Sequence, residues 1–259
     1  MNSDKKINKS LTSPSAIGLM SVAVFLTIWQ IVSARKIIDP IFIGTPTLIL
    51  KAGIKLFTSG EIYPYLKLSS EALFISLFLS IIFGVIAGLI IGSNKKLEQI
   101  ILPFIFASNS LPVVVLIPLI IIWLGLGTNA KVVVIFLMAV IPILVNTMDA
   151  AKSIDSSVTK MAQSFKASKL FILKNIVFFH SLPFILSGIR VAAGRAIIAL
   201  FVAELFGLGE GIGYLISYYG ATFQTNKLMA VALLILLLNF LIVNVIINFT
   251  EKRIVKWKV

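Results

Sequence analysis

Cysteine is absent and histidine occurs once, at His180. Without a thiol, disulfides, thiolate metal centres and cysteine nucleophiles are excluded. One imidazole cannot assemble a histidine-rich zinc or iron site, and a lone His beside a helix start reads as a capping or surface residue. Acid is scarce as well: 10 Asp and Glu stand against 23 Lys and Arg, a formal net charge of +13. Charged residues make up only 13% of the 259 residues, about half the share of an ordinary soluble domain. No G-x-x-x-x-G-K-[ST] occurs, so the chain does not itself bind ATP through a P-loop. No HExxH motif or plausible acid–base pair supports a membrane-embedded enzyme.

What is abundant is apolar surface. Hydrophobic residues reach 59%, and the mean hydropathy is +1.06. Such a chain is soluble only in lipid. The basic excess forms no aromatic-lined groove of the kind that binds nucleic acid; it sits between apolar runs, as the positive-inside rule produces. About 20 apolar helical residues span a hydrocarbon core of about 30 Å. That ruler finds six spans, at Ile17–Ser33, Ala72–Gly92, Ile101–Leu126, Val132–Thr147, Phe184–Phe206 and Leu228–Phe249. The expected fold is therefore all-α and integral to the membrane. One transmembrane unit covers 17–249, between tails 1–16 and 250–259.

The first span, after "MNSDKKINKS" and ending "VSA", resembles a signal peptide cleaved after Ala34. Its apolar run is longer than the usual 7–15 residues, so it reads as a retained anchor. With the N-terminus inside, fourteen Lys and Arg fall in inner segments and seven in outer ones. Both termini are thus expected in the cytoplasm. In the first outer segment Thr45 can cap a helix with Pro46 at its first position. Ile49, Leu50, Ile54 and Phe57 share one face of that helix, which reads as lying on the outer membrane surface.

Two glycine-rich strings are set aside. "GLGTNA" (Gly125 to Ala130) matches a dinucleotide fingerprint, but its flanks are membrane-length apolar runs rather than a strand and a helix. "GLGEGIG" (Gly207 to Gly213) reads as a tight outer turn.

The segment from Val158 to Pro183, "VTKMAQSFKASKLFILKNIVFFHSLP", is too polar for lipid. Val158, Met161, Ala162 and Phe165 recur at helical spacing, as do Leu170, Leu173 and Val177. This predicts two short amphipathic helices joined by a turn, on the inner side. They would either rest on lipid headgroups or dock a cytoplasmic partner, and the pattern alone leaves both open.

From about Pro46 to Trp257 the chain resembles the permease subunits of binding-protein-dependent ABC importers. It is most similar to the branch serving nitrate, sulfonate, taurine, bicarbonate and pyrimidine precursors. The resemblance runs through "FGVIAGLIIGSNKKLEQIILPF", "NSLPVVVLIPLIIIWLGLGTNAKVVVI", "IPILVNT" and "LPFILSGIRVAAGRAIIALFVAELFGLGEGIGYLI". It implies a type I importer permease with cytoplasmic coupling helices, in a loop at about 149–182. It also implies a second permease copy, most simply a homodimer, with two copies of a separate ABC ATPase that use ATP and Mg. An extracytoplasmic substrate-binding protein would deliver a small anionic or heterocyclic solute. No cofactor is implied for this chain.

In that family the loop carries E-A-A-x-x-x-G-x(9)-I-x-L-P, and its short helix sits in a cleft of the ATPase. Here Ala162 and Ile176 match the motif, and Leu182-Pro183 are displaced. Lys160, Met161, Lys166 and Phe178-Phe179 depart from it. Lys166 stands where Gly would permit φ > 0; either the turn differs here or the ATPase surface compensates. The implied coupling residues are Ala162, Phe165, Lys166, Ala167, Ser168 and Leu170.

Arg190, Arg195 and Glu204 lie within the fifth span, where charge is costly and faces protein or water. Arg190 fits a side chain reaching a headgroup. Arg195, nearer the midplane, and Glu204, near the outer end, are candidates to line the pathway; Glu204 alternatively caps or pairs there. Pro103, Pro112 and Pro118 predict kinks in the third span. Gly84, Gly88 and Gly92 predict a close helix contact. A stand-alone secondary transporter, the rival reading, would need inverted repeats and acidic coupling residues at mid-membrane, which are not visible.

Overall fold

The computed structural model describes residues 14–207 and 209–242, and among these every regular element is helical. The helices are α1 (Pro14–Ala34), α2 (Pro46–Thr58), α3 (Tyr63–Gly92), α4 (Lys95–Ser110), α5 (Ile117–Leu124), α6 (Thr128–Lys152), α7 (Ser156–Ser164), α8 (Lys169–Leu205), α9 (Ile212–Ala221) and α10 (Thr225–Phe240). Long apolar sequences become helices because in lipid every backbone N–H and C=O must be satisfied within its own segment.

Four of these helices, α1, α3, α6 and α8, are long and apolar enough to cross a membrane. The third expected span is not one helix. It is α4 and a 3-10 turn leading into α5, bent by 87° at the break. Of its prolines, Pro103 sits inside α4 without breaking it, whereas Pro112 and Pro118 stand at helix starts, where a missing N–H costs nothing. The sixth expected span begins in α10, and its part beyond residue 242 lies outside the described residues, as do residues 1–13 and the tail 250–259. The first three residues of "GLGTNA" form the α5–α6 connection, with Gly125 and Gly127 at positive φ, and the last three open α6.

The described residues fall into two compact units. The larger runs over Tyr63–Leu215 and resumes at Leu234. Its centre is α6, packed between α3 and α8. The α3 seam is a row of small residues at every fourth position: Ala72, Ser76, Ser80, Gly84, Gly88 and Gly92, all buried or nearly so. Ser76 and Ser80 give their hydroxyls to carbonyls one turn back, at 2.6 and 2.7 Å, and reach Val132 and Phe136 of α6 at 3.2 and 3.4 Å. A Cβ on Gly84 would lie 2.9 Å from Ile143, and one on Gly88 would lie 2.6 Å from the Thr147 Cβ. On the other side of α6, a Cβ on Gly188 of α8 would come within 3.0 Å of Asn146.

The smaller unit holds the described residues before Tyr63 together with Ile216–Leu233. Polar bonds tie it. Trp29 donates to the Gly44 carbonyl, and the Thr45 amide donates to Asn226. Thr45 occupies the N-cap position of α2 but does not cap it; its hydroxyl pairs with Ser33 at 2.8 Å instead. On α2, Ile49 and Leu56 are buried while Leu50, Ile54 and Phe57 stay exposed, so the expected apolar face is split between core and surround.

The α3–α6 seam has no room for a methyl group at Gly88. Gly88→Ala should cost about 1–3 kcal/mol through overpacking, read as a lower thermal midpoint in detergent. Gly18→Ala, where nothing lies within 4 Å, should leave the midpoint unchanged or raised.

Candidate functional site

The segment between α6 and α8 is built from local rules. Asp155 caps α7, its carboxylate accepting from the Ser157 amide at 2.8 Å. That backbone hydrogen bond, seconded by the Ser157 side chain, holds the carboxyl below the usual aspartate range. The cap therefore supports the helix above that range and is lost as pH falls through the depressed value. At the other end the chain reverses through a Schellman motif: the Ala167 amide donates to Ala162 at 3.0 Å and the Lys166 amide to Gln163 at 2.8 Å. Lys166 takes φ = 58°. The left-handed turn that glycine would make is thus present, with a lysine in it. Ser168 then caps the start of α8 by accepting from the Phe171 amide.

Leu170, Leu173 and Val177 do not form a second short helix; they lie on the first turns of α8, which runs unbroken for 37 residues through a π-helical stretch at Leu173–Val177. The inner face of the turn is anchored, since Ala162 and Ala167 pack on the cluster of Leu89, Ala151, Ile172 and Val177. The outer face is bare. Phe165 is 82% exposed and Leu170 72%, and a depression beside them is lined by Phe165, Lys166, Ala167, Ser168 and Phe171. His180 is exposed, 3.1 Å from the Ser153 hydroxyl.

Arg195 lies exposed on α8, its guanidinium 3.4 Å from the Asn109 side-chain oxygen. Asn109 closes α4 just before the bend, where Leu111 and Pro112 are extended. An interrupted backbone and a charged side chain therefore meet at mid-helix. Within a membrane both are tolerated only against protein or water. Arg190 is half-buried.

Glu204 is enclosed, at 1% exposure, and pairs with an equally enclosed Lys131 of α6 at 2.9 Å. The Ser69 hydroxyl donates to the same carboxylate oxygen at 2.7 Å, and the Gly213 amide donates to the other at 2.7 Å. Lys131 also reaches the Glu210 carbonyl at 3.0 Å, and Ser69 accepts from the Ile212 amide at 2.9 Å. The carboxylate lies against the backbone at 211–213: a Cβ on Gly211 or Gly213 would collide with Glu204, while Gly207 and Gly209 take positive φ. Sequence reasoning foresaw a pairing role for Glu204 as one alternative but missed Lys131, Ser69 and Asn109. The signal was available for Lys131, a lysine inside an apolar run facing the one carboxylate expected within a span.

Two outcomes are expected in thermal unfolding of the detergent-solubilised chain. Lys131→Met strands a buried carboxylate and should cost about 3–5 kcal/mol; adding Glu204→Gln should recover part of that loss. Lys166→Gly relieves a left-handed lysine and should stabilise the chain by about 1 kcal/mol, whereas Lys166→Val should destabilise it.

Comparison with known proteins agrees with this layout. Residues 80–256 match the family described as "Binding-protein-dependent transport system inner membrane component". The taurine transport system permease protein of Escherichia coli (strain K12) is 26% identical over 95% of this chain and 91% of its own length. The formylaminopyrimidine transport permease protein of Halalkalibacterium halodurans is 30% identical over 74% of this chain and 76% of its own. In structure, a chain of the inward-facing MetNI methionine ABC transporter superposes with a TM-score of 0.57 at 21% identity, covering 73% of this chain and 93% of that one. Nothing in these comparisons favours a stand-alone secondary transporter. An all-helical fold shared with an ABC importer and a family match over most of the length lead to one conclusion: this chain belongs to the binding-protein-dependent transport inner membrane components, the permease subunits of ABC importers.

Proposed function

We propose that the exposed turn at Phe165–Leu170 is the surface through which two ABC ATPase subunits drive a pore built from two copies of this chain. The single observation that carries the proposal is the pairing of a rigid inner face with a bare apolar outer one. Phe165, Leu170 and Phe171 are exposed on a turn whose backbone is fixed by capping bonds and by Ala162 and Ala167. Large apolar side chains held out around a fixed turn between helices are the anchors expected of a groove contact. ATP and Mg belong to the partner. The excess of Lys and Arg in alternate segments supports an inner location for this turn and for both termini. An extracytoplasmic binding protein delivers the solute on the opposite side.

The solute is small and anionic or heterocyclic. Relatives named for taurine and formylaminopyrimidine support a small polar cargo. Arg195, exposed beside Asn109 at the interrupted third span, supports a pathway wall that attracts negative charge. Glu204 contributes to the pathway from behind, by holding the outer turn, since both its oxygens are occupied.

Reconstitution of the chain with its ATPase and binding protein tests both halves. Phe165→Asp should abolish ATP-driven uptake while the permease itself melts as the wild type does. Arg195→Gln should keep ATPase binding but weaken uptake of an anionic solute about tenfold, the effect of roughly 1.4 kcal/mol. Uptake unchanged by Phe165→Asp would refute the coupling surface, and uptake unchanged by Arg195→Gln would remove Arg195 from the pathway.

A further inference from the structure

Behind the coupling turn lies a cavity of about 610 Å3 that the functions above leave unused. Its size falls within the range of small-molecule sites, about 300–1,000 Å3. Lysines from three separate elements line it: Lys95 at the start of α4, Lys152 at the end of α6 and Lys169 at the start of α8. Glu98 takes up Lys152 at 2.6 Å. Among the described residues no ion pair takes up Lys95 or Lys169, so the cavity carries uncompensated positive charge. The polar wall is completed by Thr159 and Gln163 of α7, while Ile172 and Val177 belong to its apolar side.

The position is informative. The cavity sits where α3 and α6 end and α4 begins, at the ends of two helices long and apolar enough to cross a membrane, where hydrocarbon would give way to headgroups. A basic pocket between helix ends at that depth suits a phosphate, and an apolar side beside it suits an acyl chain. Its walls also include α7 and the first residue of α8, so an occupant would bridge both sides of the Lys166 turn.

We propose that this cavity binds a phosphate-bearing anion, held by Lys95 and Lys169 with Lys152 beside them, and that the bound anion braces the coupling turn. The binding is read independently of transport; only the bracing role rests on the coupling reading above. The phosphate would come from an anionic phospholipid headgroup or from a soluble phosphate.

The test uses the full chain in nanodiscs of phosphatidylcholine, with or without phosphatidylglycerol, and reads the thermal midpoint and retained lipid by native mass spectrometry. Phosphatidylglycerol should raise the midpoint of the wild type. The double variant Lys95→Gln/Lys169→Gln should lose that gain and bind about 30-fold more weakly, at about 1 kcal/mol per lysine. Lys174→Gln, an exposed lysine outside the cavity, should retain it. If inorganic phosphate in pure phosphatidylcholine gives the wild-type gain and phosphatidylglycerol does not, the source is a soluble phosphate. If neither ligand separates wild type from the double variant, or if Lys174→Gln loses as much, the cavity is not a phosphate site and the proposal falls.

Discussion

Everything in the larger unit depends on how closely two backbones can approach. Helices in lipid gain little from hydrophobic exclusion, because the tails around them are as apolar as the side chains. They associate by close contact, and close contact requires small residues. The row from Ala72 to Gly92 supplies that along α3, with Ser hydroxyls at its middle and bare glycine toward its C-terminal end. The central helix α6 is thereby fixed against α3, and Gly188 lets α8 approach it from the other side. Only with that spacing can Lys131 of α6 reach Glu204 of α8, and can the C-terminal ends of α3 and α6 support the turn at Lys166.

The long helix α8 links the two ends of this unit. Its 37 residues correspond to about 55 Å of helix. One end begins at the turn that presents Phe165 and Leu170; the other ends at the carboxylate that holds the 207–213 turn. One continuous helix thus joins the two turns. The π-helical stretch at Leu173–Val177 interrupts its regular winding a few residues after the Lys166 turn, the kind of irregularity frequent at functional sites. The positive φ at Lys166 belongs to the same logic. A strained residue is retained where the surroundings over-determine its conformation, and here capping bonds on both sides do so.

Sequence periodicity made the membrane class, four long spans and the polar segment before the fifth span legible, because apolar length and charge placement are one-dimensional properties. The order of glycine and proline motifs made the family legible. The 87° break after Ser110 was not, since proline signals a kink but not its angle, and two of the three prolines serve as helix starts instead. The second coupling helix was misread because the periodicity of Leu170, Leu173 and Val177 is the same whether a helix stops or continues. The Lys131–Glu204 pair joins residues 73 apart. It could be anticipated only by asking which buried charge would neutralise which. At Lys166, residue preference pointed away from a left-handed turn, and the backbone bonds around it prevailed.

The central claim is that the turn at Lys166 is where an ATPase grips this permease. Purifying the chain from its native membrane in mild detergent and weighing what accompanies it tests this most directly. The account predicts a P-loop ATPase in equimolar amount, lost when Leu170 is changed to Asp while the chain stays folded. A chain that arrives alone, and that transports after reconstitution without ATP, would contradict it.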